Sequence, residues 1–407
     1  MYHSKIRSSL GELAAELDRP IEPSELDERG CVEKAVLTQI DVKLKAWMEP
    51  RVAAFALPPG LMKGTDPKNK WRVISCLQKA IRFGDVEMAV HMANVAMDLD
   101  PFHAVKRIGV IAVEDVGYGN LMLTMATLAA IGDTKWRQKV GPRKLIVWLA
   151  MELAAGVKDR STVEALVAVG LWENSVTMDM GHWPNEKLIE IIDDEAQDWR
   201  WRHAAIINLA GTKRYGGQGL SESNDRPATY LFQQMAKNGM SMAGYYVAAK
   251  TCSRLQDSMW PSFYIMDEWA RHAGAVEVLA SPVPGERVGK LLGAAYDRYV
   301  REGKVAIAKA FRESPKLQQF LIASPETRRE AMRLSGVFMA EGGTLDRRLA
   351  YGGSEWIRAR VRTCSERYHW LPPSLKGTYV DAIREALPFL NECRSKVLFS
   401  VLIAFSA

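Results

Sequence analysis

The sequence predicts a mostly α-helical fold, a multi-helix array or bundle, on three observations. Apolar residues recur three and four positions apart in segment after segment, the spacing that lines one face of a helix. Asp, Ser and Pro stand where those runs begin and Gly where they end, as helix caps require. No stretch alternates strand and helix patterns in the manner of a βαβ unit, so a doubly wound sheet is not expected.

The elements follow in order. Residues 36–47 fit two periods: Val36, Ile40, Leu44 and Trp47 suit a helix, whereas Ile40, Val42, Leu44 and Ala46 suit a strand, and helix is the favoured reading. Val73, Leu77 and Ile81 mark the next helix, which ends at Gly84. Asp85 is placed to cap a run through Val86, Ala89, Val90, Ala93 and Met97. Asp100 and Pro101 open a helix buried through Val105, Ile108, Ile111 and Ala112, and Gly117 and Gly119 stop it. Pro142 opens another through Leu145, Ile146, Leu149 and Leu153, and Asp159 to Ser161 precedes an apolar run from Val163 to Leu171. A long helix is expected from Asn185 to Leu209, then a polar loop from Gly211 to Pro227. Helical patterns resume over 228–255 and 262–273, a linker follows at Ser281 to Gly285, and a third helical block runs from Glu286 to about Ala340. A Gly-rich loop over 342–353 and two further helices complete the chain. The apolar run from Val397 to Phe405 reads as a buried helix or strand, or as a tail that docks on a partner. The expected division is an N-terminal helical extension (1–66), a helical domain (67–210), a linker (211–227), a helical segment (228–280) and a basic C-terminal helical domain (281–407).

Composition narrows the class. The 407 residues carry 54 Lys and Arg against 48 Asp and Glu, a net charge of +6, which permits nucleic-acid contact without demanding it. Hydrophobic residues at 48% and charged residues at 25% are globular proportions and exclude disordered, collagen-like and coiled-coil chains. No apolar run reaches the ~18–20 residues that span a bilayer, and the first 20 residues lack the apolar centre of a signal peptide. A cytoplasmic protein with no membrane partner is therefore expected. The five Cys are scattered and form no CxxC pair, so neither a disulfide frame nor a zinc knuckle is expected.

Three charged turns are distinctive: LQKAIRFGD (Leu77 to Asp85), IAVEDVG (Ile111 to Gly117) and KDRS (Lys158 to Ser161), with Leu99 to Pro101 and Lys106 to Ile108 between them. In order and spacing, the segment from Trp71 to about Ala168 resembles the helical region that follows the ATPase module in the RarA/MgsA (WRNIP-type) replication-associated AAA+ proteins. The resemblance covers roughly a quarter of the chain. It implies a clamp-loader-collar-like helical scaffold for oligomerisation and partner docking, and an association with replication machinery. Only about 70 residues precede this region, and no Walker A motif is present. The nearest match, Gly285 to Leu291, is one residue short and has Leu where Ser or Thr must meet Mg²⁺. Neither ATPase activity nor a cofactor is expected. Read without the family, Glu114 and Asp115 end a helix where they can pair with Lys106 or Arg107, and Lys79 and Arg82 sit where cations suit a helix C-terminus.

Three clusters could carry chemistry. Glu186, Glu190, Asp194 and Asp198 recur every four residues, an acidic stripe on one helix face, which is a solvated surface unless a second helix completes a metal site. Trp199, Arg200, Trp201, Arg202 and His203 alternate aromatic and basic residues, and Lys213, Arg214 and Tyr215 follow across the loop; stacking aromatics beside cations are what single strands require. From Arg328 to Arg367 there are nine Arg and no Lys, with Arg347 and Arg348 flanked by the Gly-rich loop and Arg358 and Arg362 one turn apart. The histidines form no HExxH or HxH pattern and no G-x-S-x-G elbow is present. The expected function is that of a non-enzymatic accessory factor without metal. It would bind single-stranded DNA through Trp199, Arg200, Arg202, Lys213, Arg214, Tyr215, Arg347, Arg348, Arg358 and Arg362, and recruit a replication or transcription enzyme. The alternatives are a protein-only oligomerising scaffold or inhibitor of a host ATPase, and a metal-dependent nuclease using the acidic stripe.

Overall fold

The computed structural model describes residues 16–170, 180–213, 224–273, 275–368 and 371–404. It is 71% helical and 5% strand, the multi-helix array that the periodicity predicts. Among the described residues no helix is long and apolar enough to cross a membrane.

Helix α1 (Lys34–Ala54) buries Ile40, Leu44, Met48 and Val52, an i, i+4 row that settles the ambiguous segment as helix. Helices α2 (Lys70–Arg82), α3 (Val86–Leu99) and α4 (Pro101–Ile111) follow. Gly84 turns the chain between the first two at φ +68°, a conformation that Gly adopts without steric cost. Asp85 accepts from the Met88 amide and Asp100 from the His103 amide, both at 3.0 Å, so both are the caps the sequence marks. A π-helical turn (Ala112–Val116) ends at Gly117. Then come α5 (Leu121–Gly132), α6 (Thr134–Val140), α7 (Pro142–Ala155) and α8 (Ser161–Gly170). Helix α3 packs on both α2 and α7.

The long helix expected from Asn185 to Leu209 is two, α9 (Asn185–Asp193) and α10 (Trp199–Ala210). Asp side chains end it. Asp194 accepts from the Ala196 amide at 3.0 Å, and Asp198 caps α10 by accepting from the Arg200 amide at 2.9 Å. Asp competes with the helix for its own backbone and favours turns and caps. The acidic stripe therefore does not share one face. Glu186 and Glu190 lie on α9, Asp194 lies in the turn, and Asp198 is a cap. Among the described residues no three His, Cys, Asp or Glu converge to hold a metal ion.

Helices α11 (Thr229–Lys237), α12 (Met242–Lys250) and α13 (Ser262–His272) complete the larger lobe. Two sequence readings are corrected next. Strand β1 (Val276–Ala280) pairs antiparallel with β4 (Arg347–Tyr351), Val276 opposite Tyr351, so the centre of the expected Gly-rich loop is a strand. The third helical block does not begin at Glu286. Arg287–Val288 (β2) and Leu291–Leu292 (β3) form a hairpin turning at Gly289, φ +62°, and this hairpin is the Walker A look-alike. Helix α14 (Arg301–Glu313) follows, then α15 (Pro315–Ala323) and α16 (Arg329–Val337). After β4 come α17 (Gly352–Tyr368), α18 (Pro373–Lys376), α19 (Tyr379–Glu385) and α20 (Leu387–Ala404). Val397 in α20 packs on the smaller core, so this part of the apolar run is helix.

One apolar core runs from Leu17 to Ile357 and takes in helices of the expected 1–66, 67–210 and 228–280 segments together. A second core gathers Ala306 to Cys393 from α14 to α16, α19 and α20. The molecule is thus a larger and a smaller helical lobe, with β4 and α17 returning to the larger one.

Candidate functional site

The Trp199 cluster packs between helices. Trp199 packs edge-on against Trp269 (5.7 Å between ring centres) and Trp356 (5.1 Å), so its ring ties α10 to α13 and α17. Trp201 stacks on Trp183 at 6.4 Å. Arg202 is buried, with both terminal nitrogens 2.7 Å from the Glu268 carboxylate and its Nε 2.9 Å from the Ile192 carbonyl. The expectation that Arg202 meets phosphate is corrected on that ground, because its guanidinium is out of solvent and its charge is matched by a two-point carboxylate pair. Arg200 Nε donates to its own cap, Asp198, at 2.9 Å. Lys213 is exposed and pairs with Asp225 at 2.7 Å. Arg214, Tyr215 and the Arg362 side chain lie outside the described residues. Arg347 donates to the Ala155 carbonyl and reaches Asp346 at 3.1 Å. Arg348 is buried against Glu355, which corrects its expected role in the same way. Of the named residues, Arg358 lines a cleft.

That cleft is built on the three charged turns. Helix α2 is buried continuously from Val73 to Arg82, so the cations of its last turn do not reach water. A buried charge is tolerated only when paired. Arg82 Nε donates to Asp115 Oδ1 at 2.7 Å and its Nη2 to Glu114 Oε1 at 3.1 Å. Gln78 Nε2 bridges the same two carboxylates, 2.8 Å to Asp115 and 3.0 Å to Glu114. Arg160 donates to Asp115 and, at 3.3 Å, to Glu114, while Arg107 donates to Gln78 Oε1. The Phe338 ring covers both the Arg82 and the Arg160 guanidinium, each 5.6 Å from its centre. Burial opposes ionisation of Asp115, but Arg82 and Arg160 outweigh it and hold its carboxyl below the usual range.

Backbone geometry makes the convergence possible. The π-helical turn carries Glu114 and Asp115, and Gly117 leaves it at φ +42°. A Cβ at Gly119 would stand 2.5 Å from the Val157 carbonyl oxygen, so only Gly lets residues 157–159 lie against this turn. Asp159, fully buried under Ser161 and Tyr351, has its carboxyl raised by burial to about 6. Lys158 runs beside β4, donating its amide to the Arg347 carbonyl and accepting from the Leu349 amide, both at 2.9 Å. The network also joins the lobes. Lys79 pairs with Asp297, Arg72 with Glu302, and Lys158 with Asp346 at 2.7 Å.

Between the lobes, above this network, opens a cleft of about 1730 Å³. The larger lobe lines it with α2, α4, α8 and α17; the rest of the lining includes α14, α19 and parts of 281–284 and 331–345. Eight Lys and Arg line it against four Asp and Glu. Four of the cations belong to the buried network. Of the rest, Arg358 reaches Glu164 at 3.4 Å and Arg384 pairs with Asp381 at 2.8 Å. Arg298 and Lys304 have no carboxylate partner among the described residues. Trp71 (56% exposed) and Tyr299 (65% exposed) present aromatic faces at the rim.

In sequence, Lys79, Arg82 and Glu114 read as structural helix-end charges, and they stand there: Lys79 and Arg82 in the last turn of α2, Glu114 in the π-helical turn, within reach of Arg107. What the sequence does not show is their surroundings: Lys79 and Arg82 are buried and Glu114 half-buried, and Lys79 reaches across to Asp297 ahead of α14. The available signal was the three charged turns, whose convergence needs a fold to see. Arg298, Lys304, Arg384, Trp71 and Tyr299 are single residues on separate elements and leave no local pattern. No known protein family, curated protein or solved structure matches this chain.

Proposed function

We propose that the chain is a non-enzymatic, DNA-associated accessory factor. It holds single-stranded DNA in the interlobe cleft and tethers a replication or transcription enzyme through its helical exterior. The carrying observation is the cleft: a groove with a twofold excess of cations and aromatic faces at its rim, the combination that accepts a single strand without reading its sequence. The cleft carboxylates Glu114, Glu164, Asp297 and Glu355 are each engaged by Arg or Lys, which favours holding over cutting. The likeness of the three charged turns to the RarA-type helical region supports a replication setting, and those turns form the cleft floor. A cytoplasmic location fits this role.

Fluorescence anisotropy with a labelled oligo-dT tests the reading. Affinity is expected to fall steeply between about 50 and 200 mM salt. Replacing Arg358 and Arg384 with Ala together is expected to weaken binding about tenfold or more and to flatten the salt slope by about 1 for each cation removed. Lys213→Ala is expected to leave binding unchanged. Absence of binding at low salt would remove DNA from the account and leave a protein-only scaffold.

A further inference from the structure

The cleft has one end that differs from the rest. Trp71 stands in the first turn of α2, and Ser75, one turn along, donates to Asp297 at 2.9 Å. Tyr299 follows Asp297 by two residues, and Arg72, next to Trp71, pairs with Glu302. These ties set the two elements side by side, and both exposed rings line the cleft at this mouth. Each ring already carries a cation, with Lys70 Nζ 5.3 Å from the Trp71 ring centre and the Arg298 guanidinium 5.1 Å from that of Tyr299. Trp71 is also propped: the His103 ring meets it edge-on at 5.2 Å and 79°. A ring fixed in this way loses little rotamer freedom when a planar group stacks on it. The two cations without a carboxylate partner, Arg298 and Lys304, lie on the same stretch as Tyr299.

Resting on the reading above, we propose that this mouth is a nucleobase clamp. A base of the bound strand stacks at Trp71 and Tyr299, and the flanking phosphates are held by Arg298 and Lys304. The recognised chemistry is a planar base joined to a phosphodiester, not negative charge alone. An acidic protein segment could satisfy the two cations but would leave both rings unfilled.

The test compares oligo-dT with an abasic oligomer of equal length and charge. Wild type is expected to prefer oligo-dT by about tenfold or more, because stacking on an aromatic contributes that much per base. Trp71→Ala and Tyr299→Ala are each expected to lower oligo-dT affinity about five- to tenfold, to leave abasic binding unchanged and to leave the salt slope unchanged; Trp71→Phe is expected to restore most of the loss. Both rings are solvent-exposed, so neither truncation opens a core cavity. Arg298→Ala and Lys304→Ala are expected to weaken both oligomers equally and to lower the salt slope by about 1 each. Equal wild-type affinity for the two oligomers, or Trp71→Ala and Tyr299→Ala variants that bind oligo-dT like wild type, would overturn the clamp while leaving DNA binding in place. Displacement of oligo-dT by poly-glutamate at equal charge concentration would also overturn it, in favour of an acidic protein partner. Failure to bind either oligomer would sink the underlying reading instead.

Discussion

Asp115→Ala is expected to cost about 3–5 kcal/mol of stability, the usual penalty for removing one partner of a buried ion pair. Arg82 and Arg160 both spend donors on this one carboxylate, and all three side chains are buried. Their attraction does not simply vanish in the variant. Two guanidiniums would remain under Phe338 with Glu114 as their nearest carboxylate. The sign of the pH effect follows from the direction of the Asp115 shift. Its folded-state pKa is depressed, so its contribution is fully present above the unfolded carboxylate value near 3.9 and is lost as pH falls through the lower folded value. The gap between wild type and variant in a denaturant titration is therefore expected to be constant from about pH 5 to 8 and to close only in strong acid. A variant as stable as wild type at pH 7 would mean that these charges do not hold the cleft floor.

The second large effect is expected from Arg394→Ala. Arg394 on α20 forms a buried two-point pair with Glu341, 3.0 and 2.8 Å, and also donates to Asn391 at 2.7 Å. Truncation leaves Glu341 buried without its cation, again about 3–5 kcal/mol. Here the loss falls on the smaller core, since α20 packs against α14 within it. Nine of the twelve Trp are described residues before 270, in the larger lobe, and report on it. On heating, helical circular dichroism is expected to fall in the variant before Trp fluorescence shifts, whereas in wild type the smaller lobe is held longer. Coincident transitions in the variant would mean that the two cores unfold as one.

Much of the architecture was legible in the sequence because it is locally encoded. Asp85 and Asp100 cap helices as their positions suggest, and the i, i+4 rows of α1 and α2 are buried as their spacing demands. Pairings distant in sequence were not legible. Strand β1 meets β4 some seventy residues later, and nothing in either segment names the other. The break at Asp194 to Asp198 shows local chemistry overruling a period: the apolar rhythm of α9 continues into α10, but Asp side chains take the backbone amides. The site divides along the same line. The charged turns at Leu77 to Asp85, Ile111 to Gly117 and Lys158 to Ser161 were visible as motifs, while their shared carboxylate at Asp115 required the fold. Trp199 and Arg202 looked like a strand-binding pair because aromatic and basic residues alternate. In the fold that alternation serves two inward-facing contacts, one with Trp269 and one with Glu268.

Photo-cross-linking tests the central claim most directly. Oligo-dT carrying 5-iododeoxyuridine, irradiated on the full-length protein at low salt and mapped by mass spectrometry, reports which aromatic side chains face the bases. The account predicts adducts on the peptides that contain Trp71 or Tyr299, at the mouth of the interlobe cleft. Adducts confined to the peptides containing Trp199 or Tyr215, with none at Trp71 or Tyr299, would contradict it.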